Sequence, residues 1–133
     1  MCTRIIGTGS YIPKKVITND DLSLTLDTSD AWISTRTGIH NRHIAEGMTS
    51  SDMAYMAARR AVDDSGLNPA DIDVIIVATS SPDYAFPSTA ALVQAKLEAV
   101  NAACFDISAA CTGFIYAYSI AQGYIAGGMY KNI

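Results

Sequence analysis

One stretch of this sequence, residues 107–130, contains no charged residue and must be shielded from water along most of its length. Its helical part is short, because Cys111 with Thr112 begins it and Gly127 with Gly128 ends it. About 15 residues remain, or roughly 22 Å of helix, whereas the hydrocarbon core of a bilayer is about 30 Å thick. The stretch also lacks positive charge on its N-terminal side. We therefore expect a helix buried in protein and no membrane partner.

A helix that is apolar on every side has to be covered on every side. At 133 residues the chain has the size of about one domain, and it stops soon after Gly128. Residues 129–133 are predicted to begin a further strand. We therefore expect the chain to be part of a longer protein.

Apolar runs alternate with helical patterns along the chain. Three runs are predicted strands: Arg4–Thr8, Asp73–Thr79 and Ala102–Ile107. Two segments with Ser or Thr at their start are predicted helices: Ser50–Ser65 and Ser88–Ala99. The second strand is a continuous apolar run, as expected when both faces of a parallel strand are covered. Strands that alternate with helices predict an α/β layered fold.

A long segment, Ser10–Thr49, separates the first strand from the helix that follows it. A segment of this length in a compact domain is usually functional or holds small elements of its own. Within it, Asp27–Ile39 is predicted to form a short helix that starts at Thr28 or Ser29 and stops at Gly38.

Trp32 and Arg36 lie one helical turn apart in that short helix, so the indole and the guanidinium share a face. Such a face suits a planar base that carries phosphates, because the ring stacks on the base and the cation meets the phosphate. The alternative is a cation-π pair that decorates an exposed helix.

Cys111 is the strongest candidate for chemistry. It stands between the third strand and the uncharged helix, among small residues that would let another molecule approach its sulfur. A thiol at a helix N-terminus lies near the positive end of the helix dipole, which favours the thiolate. The alternative is a small buried apolar residue, and this is the interpretation preferred for Cys104 inside the strand. The position of Cys2 near the terminus does not indicate a role for it.

Composition excludes several classes of function. Nine basic and 13 acidic residues give a net charge of -4, and the basic residues are scattered, so nucleic acid is not an expected partner. Three cysteines without a CxxC pair favour a reduced, cytoplasmic setting over a disulfide framework or a zinc site. His40 and His43 lack the further ligands that a metal needs. Gly7-Thr8-Gly9 lacks the third glycine of a dinucleotide-binding loop, so a tight turn is predicted there.

Together these segments resemble a known family. Over essentially its whole length the sequence is similar to the N-terminal part of β-ketoacyl-acyl carrier protein synthase III, a thiolase-fold condensing enzyme that starts fatty acid elongation. The matching motifs are Ile5-Ile-Gly-Thr-Gly-Ser-Tyr11, Asp27-Thr-Ser-Asp30 with Trp32, Thr35-Arg-Thr-Gly-Ile39, Arg42-His43, Ile75-Ile-Val-Ala-Thr79, Ala85-Phe-Pro-Ser88 and Ala109-Ala-Cys111. The resemblance implies an α/β, thiolase-like layered fold with helices on both faces of a mostly parallel mixed sheet. It also implies that residues 1–133 are an N-terminal half-domain, truncated before its last strand, with the second half absent from this chain.

The resemblance assigns a role to each matching residue. Cys111 corresponds to the nucleophile that takes an acyl group, expected to be acetyl, from acyl-CoA as a thioester. Phe86 corresponds to the residue that reaches across a homodimer and closes the partner's acyl pocket. Four residues correspond to the motif that holds the nucleotide end of CoA: Thr28, Trp32, Arg36 and Thr37. The family then condenses the acyl group with malonyl-acyl carrier protein, releasing carbon dioxide, and needs no cofactor.

Condensation in this family also uses a histidine and an asparagine from the second half of the enzyme. Neither His40 nor His43 matches that histidine, so we expect the 133 residues alone to be inactive. Two alternatives stay open. One is another thiolase-fold enzyme that loads or condenses a different acyl thioester, as in polyketide or quinolone pathways. The other is a binding or dimerisation module in which Cys111 is inert.

Overall fold

The computed structural model describes residues 3–133, and Cys2 lies outside this range. The described residues fall into two units, one of residues 12–48 and one of residues 3–11 with 49–133. In chain order the elements are β1 (Lys15–Thr18), α1 (Asn19–Ser23), α2 (Asp30–Thr37), β2 (Asn41–Ile44), α3 (Ser50–Ser65), β3 (Val74–Ala78), α4 (Thr89–Leu97), β4 (Ala103–Ile107) and α5 (Gly113–Ala126), with 3-10 turns at Pro69–Asp71 and Ala110–Thr112.

Capping residues set the ends of the longer helices. α3 begins after Thr49, whose side chain accepts a backbone hydrogen bond, and it ends at Gly66, which has a left-handed φ of 70°. α4 begins after Ser88, whose side chain caps its first turn. Such caps satisfy backbone groups that the helix itself leaves without partners. The predicted helices at 50–65 and 88–99 are confirmed.

The smaller unit is organised around the side chain of Asn19. In this unit β1 and β2 pair antiparallel, and Asn19 at the start of α1 is only 1% exposed. Its amide donates to Asp30 Oδ1 at 2.7 Å and to the Ile39 carbonyl at 2.8 Å. Its oxygen accepts a hydrogen bond from Arg42 at 2.6 Å. Because a buried amide without partners is costly, Asn19 favours one arrangement of α1, α2 and β2.

The larger unit is built on β3 and β4, which pair in parallel with Val77 opposite Asp106. Side chains that alternate along a strand point to opposite faces of the sheet. Ile75, Val77 and Cys104 share one face and pack against a buried apolar core on the α4 side. The buried residues of this core are Val93, Leu97, Ala99 and Ala102.

The opposite face of this sheet receives α5. A Cβ on Gly113, the first residue of α5, would lie 2.8 Å from the Cβ of Ala78. Ala78 alternates with Val77, so α4 and α5 cover opposite faces, as the predicted α/β layered fold requires. No helix of the described chain is long and apolar enough to cross a membrane. Phe114 in α5 stays 67% exposed, so part of the apolar surface of this helix is left uncovered by the described residues.

Two predicted strands are not formed. Residues 4–8 pair with no other segment in the described part of the chain, and Ile5 there is 62% exposed. A strand is defined by its ladder of hydrogen bonds to a neighbour, which apolar composition alone cannot supply. Residues 129–133 also form no strand, although they contact the start of β3: the N–H groups of Lys131 and Asn132 donate to the Asp73 carboxylate, and the Asn132 carbonyl accepts the Asp73 N–H at 2.8 Å.

The predicted tight turn at Gly7-Thr8-Gly9 is wrong, because this segment lies directly against α3. A Cβ on Gly9 would lie 2.1 Å from the Ala57 carbonyl oxygen and 2.5 Å from the Ala61 nitrogen. A Cβ on Gly7 would lie 2.3 Å from the Ala61 carbonyl oxygen. The glycines therefore permit a backbone-to-backbone approach that any side chain would prevent.

We expect Gly9→Ala to destabilise the full-length protein by about 1 to 3 kcal/mol, because the added methyl group meets helix backbone that no side-chain rotation can move aside. Urea unfolding measures this change. Ser10→Ala, at an exposed position in the same segment, is the matched control and should unfold with the wild type. Equal unfolding midpoints for Gly9→Ala and Ser10→Ala would contradict the close approach.

Candidate active site

Cys111 lies on a sharp turn between β4 and α5. The 3-10 turn Ala110–Thr112 joins the strand to the helix, and Cys111 is exposed in this turn. Ala110 has a φ of 44°, a left-handed conformation that costs a residue other than glycine about 1 to 3 kcal/mol. Strained residues of this kind cluster at active sites, and strained strand-to-helix turns present nucleophiles in other enzymes. The predicted strand-to-helix elbow is confirmed, and the reactivity of Cys111 remains a prediction.

Cys104 provides the contrast. It lies within β4, half-buried against the α4 side of the sheet, and its sulfur donates to the carbonyl of Ala102 at 3.5 Å. Burial raises the pKa of the Cys104 thiol, and the negative charge of Asp106 raises it further. Since the thiolate is the nucleophile, a raised pKa makes Cys104 a packing residue, as the sequence indicates.

Phe86 lies on the segment that connects β3 with α4. It is 89% exposed, which is exceptional for a phenylalanine in a folded chain. A cavity of about 340 Å³ lies between this segment and the end of β4. Its lining residues are Thr79, Pro82, Tyr84, Ala85, Ser88, Asp106, Ile107 and Ser108. The ring of Phe86 is therefore accessible to another molecule.

The structure brings Trp32 and Arg36 together on α2. The N-cap Ser29 accepts a hydrogen bond from the Trp32 N–H, which confirms Ser29 as the start of this helix. The guanidinium carbon of Arg36 lies 4.4 Å from the centroid of the Trp32 ring, and its Nη1 donates to the Trp32 carbonyl at 3.2 Å. Trp32 is 54% exposed. The two side chains therefore share an accessible face, as predicted, and within this chain they form the cation-π pair of the alternative interpretation. The binding role of this face remains a prediction.

The two threonines assigned with this pair differ in their hydrogen bonds. Thr28 Oγ1 is buried and has no hydrogen-bond partner among the described residues, so a ligand atom there would meet an unsatisfied hydroxyl. Thr37 Oγ1 instead donates to the Ile33 carbonyl at 2.8 Å and accepts from the Ile39 N–H at 3.0 Å. Of the two hydroxyls, that of Thr28 is the one with unused hydrogen-bonding capacity.

The two histidines have local partners. His40 Nδ1 lies 3.4 Å from Asp30 Oδ1, and His43 Nδ1 lies 2.6 Å from the Pro13 carbonyl oxygen. The hydrogen bond from Asn19 holds the pKa of the Asp30 carboxyl below its usual value. Burial raises this pKa and offsets part of the effect, and His40 lowers it further. Within residues 3–133 no three His, Cys, Asp or Glu side chains are placed to share a metal ion.

Sequence reasoning missed Asp106. This residue lies in β4, five positions before Cys111, and its two carboxylate oxygens accept the backbone N–H groups of Thr89 and Ala90 at 2.6 and 2.7 Å. The signal was an acidic residue in an otherwise apolar strand, since a partly buried charge requires hydrogen-bond partners. Cys111, Phe86 and Asp106 thus belong to the larger unit, and the α2 residues belong to the smaller one.

Comparison with known proteins gives consistent matches. A family model described as 3-Oxoacyl-[acyl-carrier-protein (ACP)] synthase III matches residues 105–133. The chain is 54% identical, over 100% of its length, to the beta-ketoacyl-[acyl-carrier-protein] synthase III of Caldanaerobacter subterraneus subsp. tengcongensis, of which it covers 42%. The crystal structure of 3-oxoacyl-[acyl-carrier-protein] synthase III from Aquifex aeolicus matches with a TM-score of 0.96 and 54% identity, over 98% of this chain and 42% of that chain.

A second solved structure is the priming beta-ketosynthase from the R1128 polyketide biosynthetic pathway. It matches with a TM-score of 0.93 and 39% identity, over 96% of this chain and 39% of that chain. The chain spans about two fifths of the length of these relatives. The thiolase-like layered α/β fold is that of these structures. In sequence and in fold, the chain is similar to about two fifths of the length of the beta-ketoacyl-[acyl-carrier-protein] synthase III proteins.

Proposed function

We propose that this chain supplies the acyl-accepting part of an initiating ketosynthase of fatty acid synthesis. The observation that carries the proposal is the exposed thiol of Cys111 on the strained elbow before α5. The 54% identity to a beta-ketoacyl-[acyl-carrier-protein] synthase III supports it further. The substrates are acyl-CoA, with acetyl as the expected acyl group, and malonyl-acyl carrier protein.

The proposed chemistry has two steps. The Cys111 thiol loses its proton and the resulting thiolate attacks the thioester carbonyl of acyl-CoA, so that a new C–S bond forms and the bond to CoA breaks; CoA leaves as a thiol after it takes up the proton that Cys111 lost. In the second step malonyl-acyl carrier protein loses carbon dioxide, its carbanion attacks the acyl carbonyl and the C–S bond to Cys111 breaks. The developing enolate and oxyanion need preorganised donors, which the family draws from its second half. No cofactor is required, because the thioester itself carries the activated acyl group.

The proposed CoA site uses the exposed face of α2. The adenine ring stacks against Trp32, and the guanidinium of Arg36 meets the phosphates. Thr28 belongs to the proposal by resemblance; its hydroxyl has no hydrogen-bond partner among the described residues, and it must become accessible to contact the ligand. Thr37 remains part of the proposal by resemblance, although its hydroxyl is already engaged within the chain.

We further propose a cytoplasmic homodimer in which Phe86 enters the acyl pocket of the partner subunit. The high exposure of Phe86 and of the apolar residues at the start of α5 supports such an interface. The free thiols of Cys104 and Cys111 support a reducing compartment.

The second candidate is a priming ketosynthase of polyketide synthesis, which the match to the R1128 enzyme favours. Both candidates acylate Cys111, and they differ in the acyl group and the carrier protein. A panel of acyl-CoA substrates, tested with the full-length protein and with carrier proteins of both pathways, separates them. Preference for acetyl-CoA with the fatty acid carrier protein supports the first candidate.

We expect Cys111→Ala in the full-length protein to abolish acyl-enzyme formation, because the acceptor sulfur is gone. The mass of the intact protein after incubation with acetyl-CoA measures this, since an acetyl group adds to the wild type. Cys104→Ala is the matched control and should still be acylated. An acyl group that remains covalently bound to Cys111→Ala overturns the assignment.

We expect Trp32→Ala and Arg36→Ala each to weaken CoA binding about tenfold, which corresponds to about 1.4 kcal/mol. Titration calorimetry with CoA measures the affinity, and alkylation of Cys111 by iodoacetamide should keep its wild-type rate. Arg59→Ala is the control, because it removes an exposed guanidinium from a different helix, α3. Unchanged CoA affinity in both α2 variants rules out this face as the site.

A further inference from the structure

The segment between β3 and α4 carries Phe86, the most exposed aromatic side chain of the larger unit. Hydrogen bonds nevertheless hold this segment at two points. Two carboxylates that take no part in the proposed chemistry make these attachments. One belongs to Asp83 within the segment, and the other belongs to Asp106 in β4.

Asp106 holds the end of the segment that leads into α4. Its carboxylate accepts the N–H groups of Thr89 and Ala90, the first two residues of α4, and both residues are fully buried. The first N–H groups of a helix have no partners within the helix and carry its positive dipole end, so a carboxylate there is strongly favoured. Asp106 therefore fixes where α4 begins relative to β4.

Asp83 holds the other end against α3. Its carboxylate accepts the backbone N–H of Ser51 at 3.1 Å, and Ser51 is 1% exposed. Next to this contact, the hydroxyl of Ser50 donates to the carbonyl of Ser81 at 2.7 Å. The start of α3 thus presents a buried backbone N–H and a hydroxyl to the segment, and both groups donate hydrogen bonds to it.

The residues between the two attachments project outward. Tyr84 and Phe86 are 60% and 89% exposed, so packing within this chain does little to position them. Phe86 lies three residues from Thr89, and Cys111 lies five residues beyond Asp106. The Asp106 carboxylate therefore links the segment that carries Phe86, through its hydrogen bond to the Thr89 N–H, to the strand that leads to Cys111.

We propose that Asp83 and Asp106 are positioning residues that hold Phe86 at a set distance from the framework carrying Cys111 and thereby determine the length of acyl chain that is accepted. The inference rests on the proposed roles of Cys111 and Phe86. In a dimer, the two attachments set how deeply Phe86 enters the partner's pocket. A loosened segment lets Phe86 retract, so that longer acyl chains compete with short ones.

The test uses Asp83→Ala and Asp106→Asn in the full-length protein. Asp106→Asn replaces one of two acceptor oxygens by an NH₂ donor, so the N–H of Thr89 or Ala90 loses its partner. Both oxygens of Asp83 face the same Ser51 N–H, so alanine is needed there to remove the acceptor. Asp73→Asn is the matched control, because the Asp73 carboxylate also accepts two backbone N–H groups, at 2.8 Å each, but at the opposite end of β3. The measured quantity is the ratio of kcat/KM for acetyl-CoA to kcat/KM for hexanoyl-CoA.

We expect both test variants to change this ratio by about tenfold, and Asp73→Asn to leave it within about twofold, since small misplacements of a positioning group have effects of this order. Hydrogen–deuterium exchange of residues 82–91, followed by mass spectrometry, should be faster in the test variants than in the wild type and in Asp73→Asn. If Asp106→Asn fails to fold, Asp83→Ala alone decides.

The outcomes separate the two proposals. A wild-type protein that is not acylated at Cys111 overturns the proposed function, while the exchange measurement still tests the attachments. A wild-type protein that is acylated, with an unchanged substrate ratio in a folded Asp83→Ala variant, overturns the positioning role. A ratio that changes equally in Asp73→Asn also overturns it, because the effect then reports general loss of stability.

Discussion

The parallel pairing of β3 with β4 is the constraint on which the larger unit depends. Parallel strands end at the same edge of their sheet, so the segment after β3 and the elbow after β4 leave from one side. The hydrogen bond from the Thr79 N–H to the Ile107 carbonyl, 3.1 Å long, continues the pairing past the end of β3. Phe86 and Cys111 therefore emerge from neighbouring strand ends although they are separated along the chain.

Directional polar contacts complete what apolar packing begins. Burial of Val93 and Leu97 draws α4 onto the sheet, but the hydrophobic effect has no preferred direction. The exact start of a helix or a loop needs hydrogen bonds, whose geometry is narrow. Asp106 at α4 and Asn19 in the smaller unit fulfil this role with buried or half-buried side chains that bind backbone groups. In each unit a polar side chain thus orders the elements that carry the proposed site.

The two described cysteines show how strongly environment separates identical groups. Cys104 and Cys111 are seven residues apart, but one lies inside a strand and the other on an exposed elbow. Burial raises the pKa of Cys104 and keeps it a thiol. The elbow at Cys111 is formed at the cost of a left-handed alanine, and no local sequence pattern encodes that strain.

Features that depend only on neighbouring residues could be predicted from the sequence. Thr49 and Gly66 delimit α3, Ser29 and Gly38 delimit α2, and the apolar run at 74–78 forms a strand, because caps and periodicity act over one or two helical turns. The motifs around Cys111 and Trp32 were likewise sufficient to indicate the family.

Features that depend on a distant partner follow from tertiary packing and could not be predicted locally. Residues 4–8 have strand composition but no pairing strand within residues 3–133, and Gly9 is needed because α3 approaches it from about fifty residues away. The contact of Asp106 with the first N–H groups of α4 is of the same kind. A hydrogen-bond ladder, a backbone contact or a buried charge needs two segments, and the position of the second segment is set by the packing of the whole unit.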